Sequence, residues 1–262
     1  MNLNNQRCML IGASGGIGAA ASQLLAQQGA ELMLCGRNAE MLQQQVDELP
    51  SGGPSHRLLV ADICSEEGRW LITDAIRKHQ ISTVINLAGI NELIAFEKQD
   101  PVMIEQIITT NVTAVLLLSR QVITLFQEKQ VGTLVNVGSA LGFIGMPGYA
   151  TYCSSKFAIR GFCEALAREL ADGPIKVKYF SPRTTNTRIN SDQATAMNRE
   201  LGNKTDSPEH VAEELIKFLD QQVDCYQVGW PEKLFVRING VFPGIVSNAI
   251  RKQLPIINKY IK

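Results

Sequence analysis

The sequence predicts an α/β fold in which a doubly wound parallel sheet lies between two helical layers and is followed by a C-terminal amphipathic extension. Three observations predict this fold. Short apolar segments alternate with longer segments of helical period, the polar connections between them are short, and no repeat or low-complexity linker divides the chain. Such alternation is typical of parallel strands joined by right-handed helical crossovers. A single domain with three α/β/α layers follows.

Each element follows from its own segment of sequence. Apolar segments of strand length cover residues 7–11, 31–35, 58–61, 83–86, 133–137 and 175–180. A first helix is predicted to follow a glycine-rich turn and to end at about residue 28. Further helices are predicted over about residues 38–48, 65–78, 148–171 and 208–221. Pro101 begins a further long helix, because proline suits a first helical turn. Ligands of such sheets bind beyond the carboxyl ends of the strands, so functional residues are expected just after strands.

Two segments depart from this regular alternation. Residues 188–207 are polar and poorly periodic, as expected of a mobile lid over a pocket. From Trp230 onward an apolar helical face is flanked by cations and broken at Pro243-Gly244. We therefore divide the chain into a main domain, residues 1–229, and an extension, residues 230–262. The extension either lies on an anionic membrane surface, caps the pocket, or packs on a partner subunit.

Charge narrows the classes of partner. In 262 residues, 25 Lys and Arg balance 25 Asp and Glu, so the formal net charge is zero. Nucleic-acid binding is not expected, because it usually shows as a basic excess. The balance is nevertheless a cancellation: six cations face Glu232 alone in the extension, which gives it a net charge of +5 and the main domain −5. An anionic surface stays open as a partner of the extension.

Cysteine usage and the N-terminus predict a cytoplasmic protein without a metal site. The six cysteines form no CxxC pair and no Cys/His cluster with zinc spacing. Small buried thiols in a reducing compartment are typical of this pattern. The N-terminus lacks a charged region followed by a long apolar run, and the apolar stretches fall short of the roughly 20 residues of a membrane span.

A glycine-rich turn follows the first predicted strand. Residues Gly12–Gly18 read GASGGIG and lead into an alanine-rich helix. Glycines permit a tight turn and close approach of the backbone to a pyrophosphate, and a helix N-terminus supplies unpaired N–H groups and a favourable dipole. A turn of this kind between a strand and a helix predicts dinucleotide binding. No GK[ST] follows, so a P-loop is rejected.

The end of the second strand indicates which dinucleotide is bound. NAD sites place an acid near this position to accept hydrogen bonds from the ribose 2′-hydroxyl, but the chain reads Cys35-Gly36-Arg37-Asn38. An arginine can bind a 2′-phosphate through two hydrogen bonds. We therefore predict NADP(H) as the preferred cofactor, with Arg37 as the principal determinant and Ser14 and Asn38 as further contacts.

A tyrosine and a lysine four residues apart form the second chemical motif. Tyr152 and Lys156 share one helical face. A nearby ammonium would lower the pKa of the tyrosine and so suit it to proton exchange near neutral pH. Ser139 follows a predicted strand, and its hydroxyl could hydrogen-bond a carbonyl oxygen.

Taken together, these motifs resemble the short-chain dehydrogenase/reductase family over nearly all of residues 5–230. The resemblance rests on GASGGIG, Asp62-Ile63, Asn86-Leu87-Ala88-Gly89, Asn111, Ser139 and the YCSSK segment of Tyr152–Lys156, in matching order and spacing. It implies a Rossmann-type fold and an NADP(H)-dependent oxidoreductase, similar to 3-oxoacyl reductases. It also implies a homo-oligomer, either a dimer or a tetramer.

The resemblance assigns roles to individual residues. It makes Tyr152 the general acid in reduction, with Lys156 lowering its pKa and binding the nicotinamide ribose. Ser139 orients the substrate carbonyl, and Asn111 holds a water that links Lys156 to solvent. The cofactor contacts implied by the resemblance or by the motifs above are Gly12, Ser14, Gly16, Ile17, Gly18, Arg37, Asn38, Asp62, Ile63, Asn86, Ala88, Gly89, Tyr152, Lys156, Pro182 and Thr187.

The sequence departs from the family pattern most clearly after the sixth strand. Where the family has Pro-Gly, the chain has Pro182-Arg183. Arg183 either reaches an anionic group of cofactor or substrate, or points to solvent. Smaller departures are Ile11 in place of the usual threonine and Leu87 in place of an asparagine.

Apolar residues near Ser139 and Tyr152 predict an apolar substrate. They are Ala140, Leu141, Phe143, Ile144, Met146 and Tyr149. The leading hypothesis is an NADPH-dependent reductase of a ketone or 3-oxoacyl-type carbonyl. The alternative is a non-catalytic NADP(H)-binding regulator or membrane-associated scaffold, which the complete Ser139, Tyr152 and Lys156 set disfavours. A nucleotide-sugar epimerase or dehydratase is weaker, because such relatives usually carry an added substrate domain.

Overall fold

One parallel sheet organises the chain. The computed structural model describes residues 6–50 and 55–261. Its strands are β1 (Arg7–Ile11), β2 (Glu31–Gly36), β3 (Arg57–Val60), β4 (Thr83–Asn86), β5 (Gly132–Val137), β6 (Ile175–Ser181) and β7 (Cys225–Gln227). The spatial order is β3-β2-β1-β4-β5-β6-β7, with every neighbouring pair parallel. The predicted doubly wound sheet is confirmed, and only β7, three residues long, was not predicted.

Helices cover both faces of the sheet and enclose two apolar cores. They are α1 (Gly16–Gln27), α2 (Ala39–Asp47), α3 (Glu66–Lys78), α4 (Pro101–Ile108), α5 (Ala114–Lys129), α6 (Ala150–Glu169), α7 (Asp192–Glu200), α8 (Pro208–Asp220), α9 (Glu232–Val241) and α10 (Pro243–Ile257). Buried residues of α1, α2 and α8 form one core with the sheet, and those of α3, α5 and α6 form the other. The three predicted layers are therefore present.

Side-chain caps fix where several helices begin. The side chains of Asn38, Ser65 and Ser207 each accept a hydrogen bond from the backbone N–H three residues later. Such a cap satisfies one of the unpaired donors of a helix N-terminus and stabilises the helix by about 1 kcal/mol. The predicted start at Ser207-Pro208 is confirmed.

The long helix predicted from Pro101 is present but contains an irregularity. A π-helical turn, Thr109–Thr113, joins α4 to α5. The whole stretch is long and apolar enough to cross a membrane by length and composition, so the expectation that no stretch reaches that length was wrong. Its residues Val115, Leu118 and Val122 are buried in a core of the sheet, which is the packing of a helix layer.

The lid and the extension are more regular than the sequence indicated. The segment predicted as an irregular lid contains α7, which is capped by Ser191 and buries Ala194 and Met197. The extension forms two helices that meet at Phe242, as the Pro243-Gly244 break predicted. Ala194 and Met197 join a third apolar cluster with Ile257 of α10 and the start of α6. Lid and extension therefore close over the same end of the sheet.

Candidate active site

The glycine-rich turn lies where the strand order reverses. β1 pairs with β2 on one side and with β4 on the other, so its carboxyl end faces a crevice between diverging connections. Gly12 has a φ of +80°, and a Cβ there would lie 2.9 Å from the backbone nitrogen of Ala88. A Cβ on Gly18 would lie 2.6 Å from the carbonyl oxygen of Ala13. Glycine is therefore required at both positions for the turn to pack.

The turn leaves room for a ligand on its outer side. Among the described residues, no side chain caps α1 at Gly15, so the first N–H groups of the helix stay available. A Cβ on Gly15 would meet only the carbonyl oxygen of Gly12, at 3.3 Å. Across the crevice, Thr187 approaches so closely that a Cβ on Gly16 would lie 2.8 Å from its methyl carbon. The segment after β6 therefore packs directly against the start of α1.

The predicted adenosine contacts lie at the ends of β2 and β3. Arg37 is exposed directly after Gly36, whose missing Cβ would lie 3.6 Å from the hydroxyl of Ser14. Asn38 uses its side-chain oxygen to cap α2 at Met41, so that oxygen is already engaged. After β3, the Asp62 carboxylate accepts a hydrogen bond from the Cys64 backbone at 2.9 Å, and Ile63 is buried.

Asn86 ends β4 and shapes the next part of the crevice. Its side-chain oxygen accepts a hydrogen bond from the Ala88 backbone at 3.1 Å, and its amide donates to Asn136 at 3.3 Å. These bonds hold the turn that carries Ala88 and Gly89 against the neighbouring strand. A Cβ on Gly89 would lie 3.5 Å from the Lys156 ammonium. The predicted adenosine contacts and the Tyr152–Lys156 pair therefore lie along one continuous stretch of the structure.

Tyr152 and Lys156 lie in the first turns of α6 and are both buried. The Lys156 nitrogen donates a hydrogen bond to the Val137 carbonyl at 3.2 Å and lies 5.6 Å from the centre of the Tyr152 ring. The predicted shared face is confirmed. Because Val137 ends β5, the sheet itself holds the ammonium beside the tyrosine.

The expected lowering of the Tyr152 pKa is wrong for this structure. Burial raises the pKa of the Tyr152 hydroxyl well above its usual value, although a hydrogen bond with Ser139 opposes the rise. Burial also lowers the pKa of Lys156 to about 8. Removal from water disfavours the charged form of each group, and for Tyr152 this effect outweighs the hydrogen bond with Ser139.

Asn111 lies in the π-helical turn and links the crevice to α6. Its amide donates to the carbonyl of Ile90 at 2.9 Å and to the hydroxyl of Ser155 at 3.1 Å, while its oxygen accepts the Ile90 N–H at 2.9 Å. The Ser155 hydroxyl donates in turn to the carbonyl of Tyr152 at 2.7 Å. Sequence reasoning did not single out Ser155. The π-turn, common at functional sites, places Asn111 where a regular helix would not.

Ser139 is held from behind by a tyrosine that the sequence analysis missed. The Ser139 hydroxyl accepts a hydrogen bond from the Leu141 backbone at 3.1 Å, and its N–H donates to the Tyr179 hydroxyl at 3.3 Å. A Cβ on Gly138 would lie 2.0 Å from the Tyr179 hydroxyl. Gly138 is therefore needed to let Tyr179 support the serine, and a tyrosine in an apolar strand was the only available signal.

Ser139, Tyr152 and Lys156 meet at the wall of one cavity of about 450 Å³. Of the six apolar residues expected near the substrate, Ala140, Leu141, Ile144, Met146 and Tyr149 line it. Phe143 does not: its ring packs edge-on against Tyr179, with centroids 5.9 Å apart, and beneath the Arg160 guanidinium. That prediction was wrong because contacts with Tyr179 and Arg160 hold the Phe143 ring against the core.

The rest of the cavity is lined by residues that the sequence analysis did not single out as pocket residues. The lid supplies Met197 and Asn198, the extension supplies Phe235, Val246 and Ile250, and the turn after β4 supplies Asn91. Of the three interpretations of the extension, the cap over the pocket is confirmed. An interior of this composition suits an apolar molecule with a few polar groups.

Arg183 takes neither of its two predicted positions. Its guanidinium is buried and forms two hydrogen bonds to the Asp206 carboxylate, at 2.6 and 2.7 Å. It also pairs with Glu232 at 3.1 Å and donates to the Trp230 carbonyl at 3.2 Å. A Cβ on Gly229 would lie 2.8 Å from the guanidinium. Arg183 thus joins the segment after β6 to the end of the lid and the start of the extension.

Comparison with known proteins assigns the family. A family model described as short chain dehydrogenase matches residues 6–198. The chain is 32% identical over 199 residues to a 3-oxoacyl-[acyl-carrier-protein] reductase of Bos taurus, covering 74% of this chain and 80% of that protein. It is 31% identical over 201 residues to the 3-oxoacyl-[acyl-carrier-protein] reductase FabG of Escherichia coli, covering 75% and 81%.

Solved structures show the same fold. A short-chain dehydrogenase from Sphingobium yanoikuyae in complex with NADPH is similar with a TM-score of 0.78 at 24% identity, covering 92% of this chain and 95% of that one. A short-chain dehydrogenase/reductase from Burkholderia phymatum in complex with NAD gives 0.83 at 17%, covering 94% and 96%. The chain belongs to the short-chain dehydrogenase family. It is an oxidoreductase that resembles the 3-oxoacyl reductases of that family.

Replacing Arg183 is expected to destabilise the protein strongly. Arg183→Met leaves the carboxylate of Asp206 buried without its partner, and breaking a buried pair costs about 3–5 kcal/mol. Arg183→Met with Asp206→Asn should recover part of this loss, because no buried charge is then unpaired. Denaturant unfolding of both variants measures the difference. Lys217→Met, which breaks an exposed pair with Glu214, serves as control and should cost at most about 1 kcal/mol. A loss of similar size for Arg183→Met would contradict the structural role.

The stability of the ligand-free protein should depend on pH through Lys156. Its pKa falls from an ordinary 10.5 to about 8 on folding. Between these values the unfolded chain binds more protons, so this group's contribution to the free energy of unfolding rises with pH and is least below pH 8. Lys156→Met should therefore stabilise the protein by about 1–3 kcal/mol at pH 7, and by much less at pH 10. Denaturant unfolding at both pH values measures this.

The exposed Lys176→Met is the control for that comparison. It removes a lysine from the surface and so controls for the loss of a lysine side chain as such. A gain from Lys156→Met that does not shrink with pH would show that the ammonium is not destabilised by burial.

Proposed function

We propose that the protein is an NADP(H)-dependent reductase that converts a carbonyl to an alcohol by hydride transfer. The observation that carries the proposal is the meeting of Ser139, Tyr152 and Lys156 at the wall of one largely apolar cavity beyond the carboxyl ends of β5 and β6. The relatives named 3-oxoacyl-[acyl-carrier-protein] reductase favour a ketone or 3-oxoacyl-type substrate. Leu141, Met146 and Tyr149 would contact the apolar body of that substrate.

A nicotinamide dinucleotide fits the crevice that leads to this cavity. The glycine turn would bind the pyrophosphate, because its outer side is open and its backbone N–H groups are available. Asp62, Ile63 and Asn86-Leu87-Ala88-Gly89 would contact the adenosine, and Pro182 and Thr187 the nicotinamide. When bound, the reduced cofactor supplies the hydride. The residues that would surround the cofactor are the contacts predicted from the sequence. Among them, Asn38 already uses its side-chain oxygen to cap α2.

Tyr152 would donate the proton to the substrate oxygen. At neutral pH the raised pKa keeps its hydroxyl protonated, so the proton is present at the start of a reduction. The Ser139 hydroxyl would hydrogen-bond the same oxygen and fix its position. Both hydroxyls face a cavity wall whose other residues are mostly apolar, where such hydrogen bonds are stronger than in water.

Lys156 and Asn111 would restore the proton. The ammonium of Lys156, with its pKa near 8, is a better acid than an exposed lysine. Asn111 fixes the Ile90 backbone and, through Ser155, the helix turn between Tyr152 and Lys156. The water that the resemblance places beside Asn111 would complete the route to solvent.

Arg37 is the residue that we propose selects NADP(H). It is exposed directly after β2 and follows Gly36, which lies near the Ser14 hydroxyl, and a 2′-phosphate would lie at this end of the strand. Solved relatives in complex with NADPH and with NADP support this choice, while another is in complex with NAD. The homo-oligomer and the cytoplasmic location stay predictions of the sequence.

Tyr152→Phe should abolish most turnover while leaving cofactor binding intact. A positioned general acid contributes about 100-fold to 10,000-fold to a rate, so kcat should fall by that factor. The loss of NADPH absorbance with a panel of ketones and 3-oxoacyl thioesters gives the rate, and fluorescence titration gives the NADPH affinity. Unchanged turnover in the variant would refute the mechanism. Inactivity of the wild type across the whole panel would favour the non-catalytic alternative.

Arg37→Asp should change the cofactor preference. Loss of charged hydrogen bonds to a 2′-phosphate is expected to raise KM for NADPH about tenfold to a hundredfold, while KM for NADH falls or stays constant. The ratio of kcat/KM for the two cofactors measures the effect. Arg168→Asp, at an exposed position on α6, provides the matched charge reversal. An equal change of the ratio in both variants would contradict the assignment of Arg37.

A further inference from the structure

The two helices of the extension expose a dense group of apolar side chains. Trp230, Leu234, Val241, Phe242 and Ile245 are between 46% and 69% exposed. We call this group the apolar hairpin, because α9 and α10 meet at Phe242 and place Val241, Phe242 and Ile245 at its tip. Large exposed apolar patches mark surfaces that contact a partner or a membrane.

Cations without acidic partners flank the apolar hairpin. Arg237, Arg251 and Lys252 are exposed, and within residues 6–50 and 55–261 none has a carboxylate within 4.0 Å. The one acid in α9 and α10, Glu232, is already paired with Arg183. The surface around the apolar tip is therefore positive, and it favours an anionic partner.

The other face of the same two helices lines the pocket. Phe235 and Val236 of α9 and Val246, Ala249 and Ile250 of α10 face the cavity that holds Ser139 and Tyr152. One pair of helices thus carries an exposed apolar tip on its outside and the roof of the cavity on its inside. The hairpin therefore separates an apolar outer surface from the largely apolar cavity.

We propose that the apolar hairpin docks on the surface of a bilayer that contains anionic lipid. Val241, Phe242 and Ile245 would enter the boundary between headgroups and acyl chains, and Arg237, Arg251 and Lys252 would lie at the lipid phosphates. Apolar side chains flanked by Lys and Arg are the composition that binds this interface. Pairing of two hairpins fits less well, because hairpins of the same charge would repel. The proposal goes beyond the proposed function and does not rest on it.

Vesicle flotation of the full chain tests the proposal without any assay of turnover. The wild type should float with vesicles of phosphatidylcholine and phosphatidylglycerol, and much less with phosphatidylcholine alone or at high salt. Phe242→Asp should lower the partition coefficient about tenfold to a hundredfold, since it removes a buried Phe side chain from the contact. Arg237→Gln with Arg251→Gln and Lys252→Gln should lower it about fivefold per cation removed.

Phe96→Asp is the matched control. Phe96 and Phe242 are equally exposed, at 61% and 60%. Phe96 nevertheless lies far from the tip of the hairpin, because the N–H of the preceding Ala95 donates to the carbonyl of Ile261, beyond the C-terminal end of α10. Its replacement should leave the partition coefficient unchanged. Thermal unfolding of each variant shows that the fold is retained.

Three results would overturn the proposal. The first is a wild type that does not float with anionic vesicles, and the second is an equal loss from Phe242→Asp and Phe96→Asp. The third is an absence of vesicle binding together with a lower mass in lipid-free solution for Phe242→Asp than for the wild type. That result would assign the hairpin to a contact between copies of the chain.

Discussion

The reversal of strand order around β1 is the constraint on which the site depends. Ile11, the last residue of β1, pairs with Cys35 on one side and with Asn86 on the other, so three strands end at one level. The turns after these strands meet there, and the Gly12 turn packs against Ala88 with no space for a Cβ. Ser139 and Arg183 follow β5 and β6 at the same edge. The dinucleotide crevice and the catalytic groups are adjacent because the sheet brings these ends together.

A buried ion cluster extends this edge into a closed pocket. Arg183 joins the segment after β6 to Asp206 at the end of the lid and to Glu232 in the extension. Charges removed from water carry a desolvation cost, so such a cluster is weak support for stability as a whole. Its geometry nonetheless joins these three segments, and the parallel bridge between Thr185 and Asp206 adds to the contact between the first two. Where the family has a glycine, this chain has a cation that ties the extension to the cofactor end of the site.

Most of the fold could be predicted from the sequence, because the apolar periodicity of the segments and the capping residues at helix starts are local features. Strands with several apolar residues, and helices begun by Asn38 or Ser207, were placed correctly, whereas β7 was too short to show a period. The site was predicted where a motif follows a strand. It was not predicted where contacts between distant segments determine the position of a side chain. Arg183 is an example, because its partner Asp206 is 23 residues away in the sequence. Phe143 was misplaced for the same reason, since Tyr179 and Arg160 determine which way its ring points.

Burial gives the two titrating groups of the site different tasks. It raises the pKa of Tyr152 and lowers the pKa of Lys156 to about 8, because both side chains are largely removed from water. At neutral pH Tyr152 then holds its proton and Lys156 is still mostly protonated. In the proposed reduction, the alkoxide would be far more basic than a phenolate, so proton transfer from Tyr152 would be favourable, and Lys156 could replace the proton. The reverse reaction would need the phenolate, which burial disfavours. In the proposed mechanism, burial of Tyr152 would thus maintain the protonated form that a reduction requires.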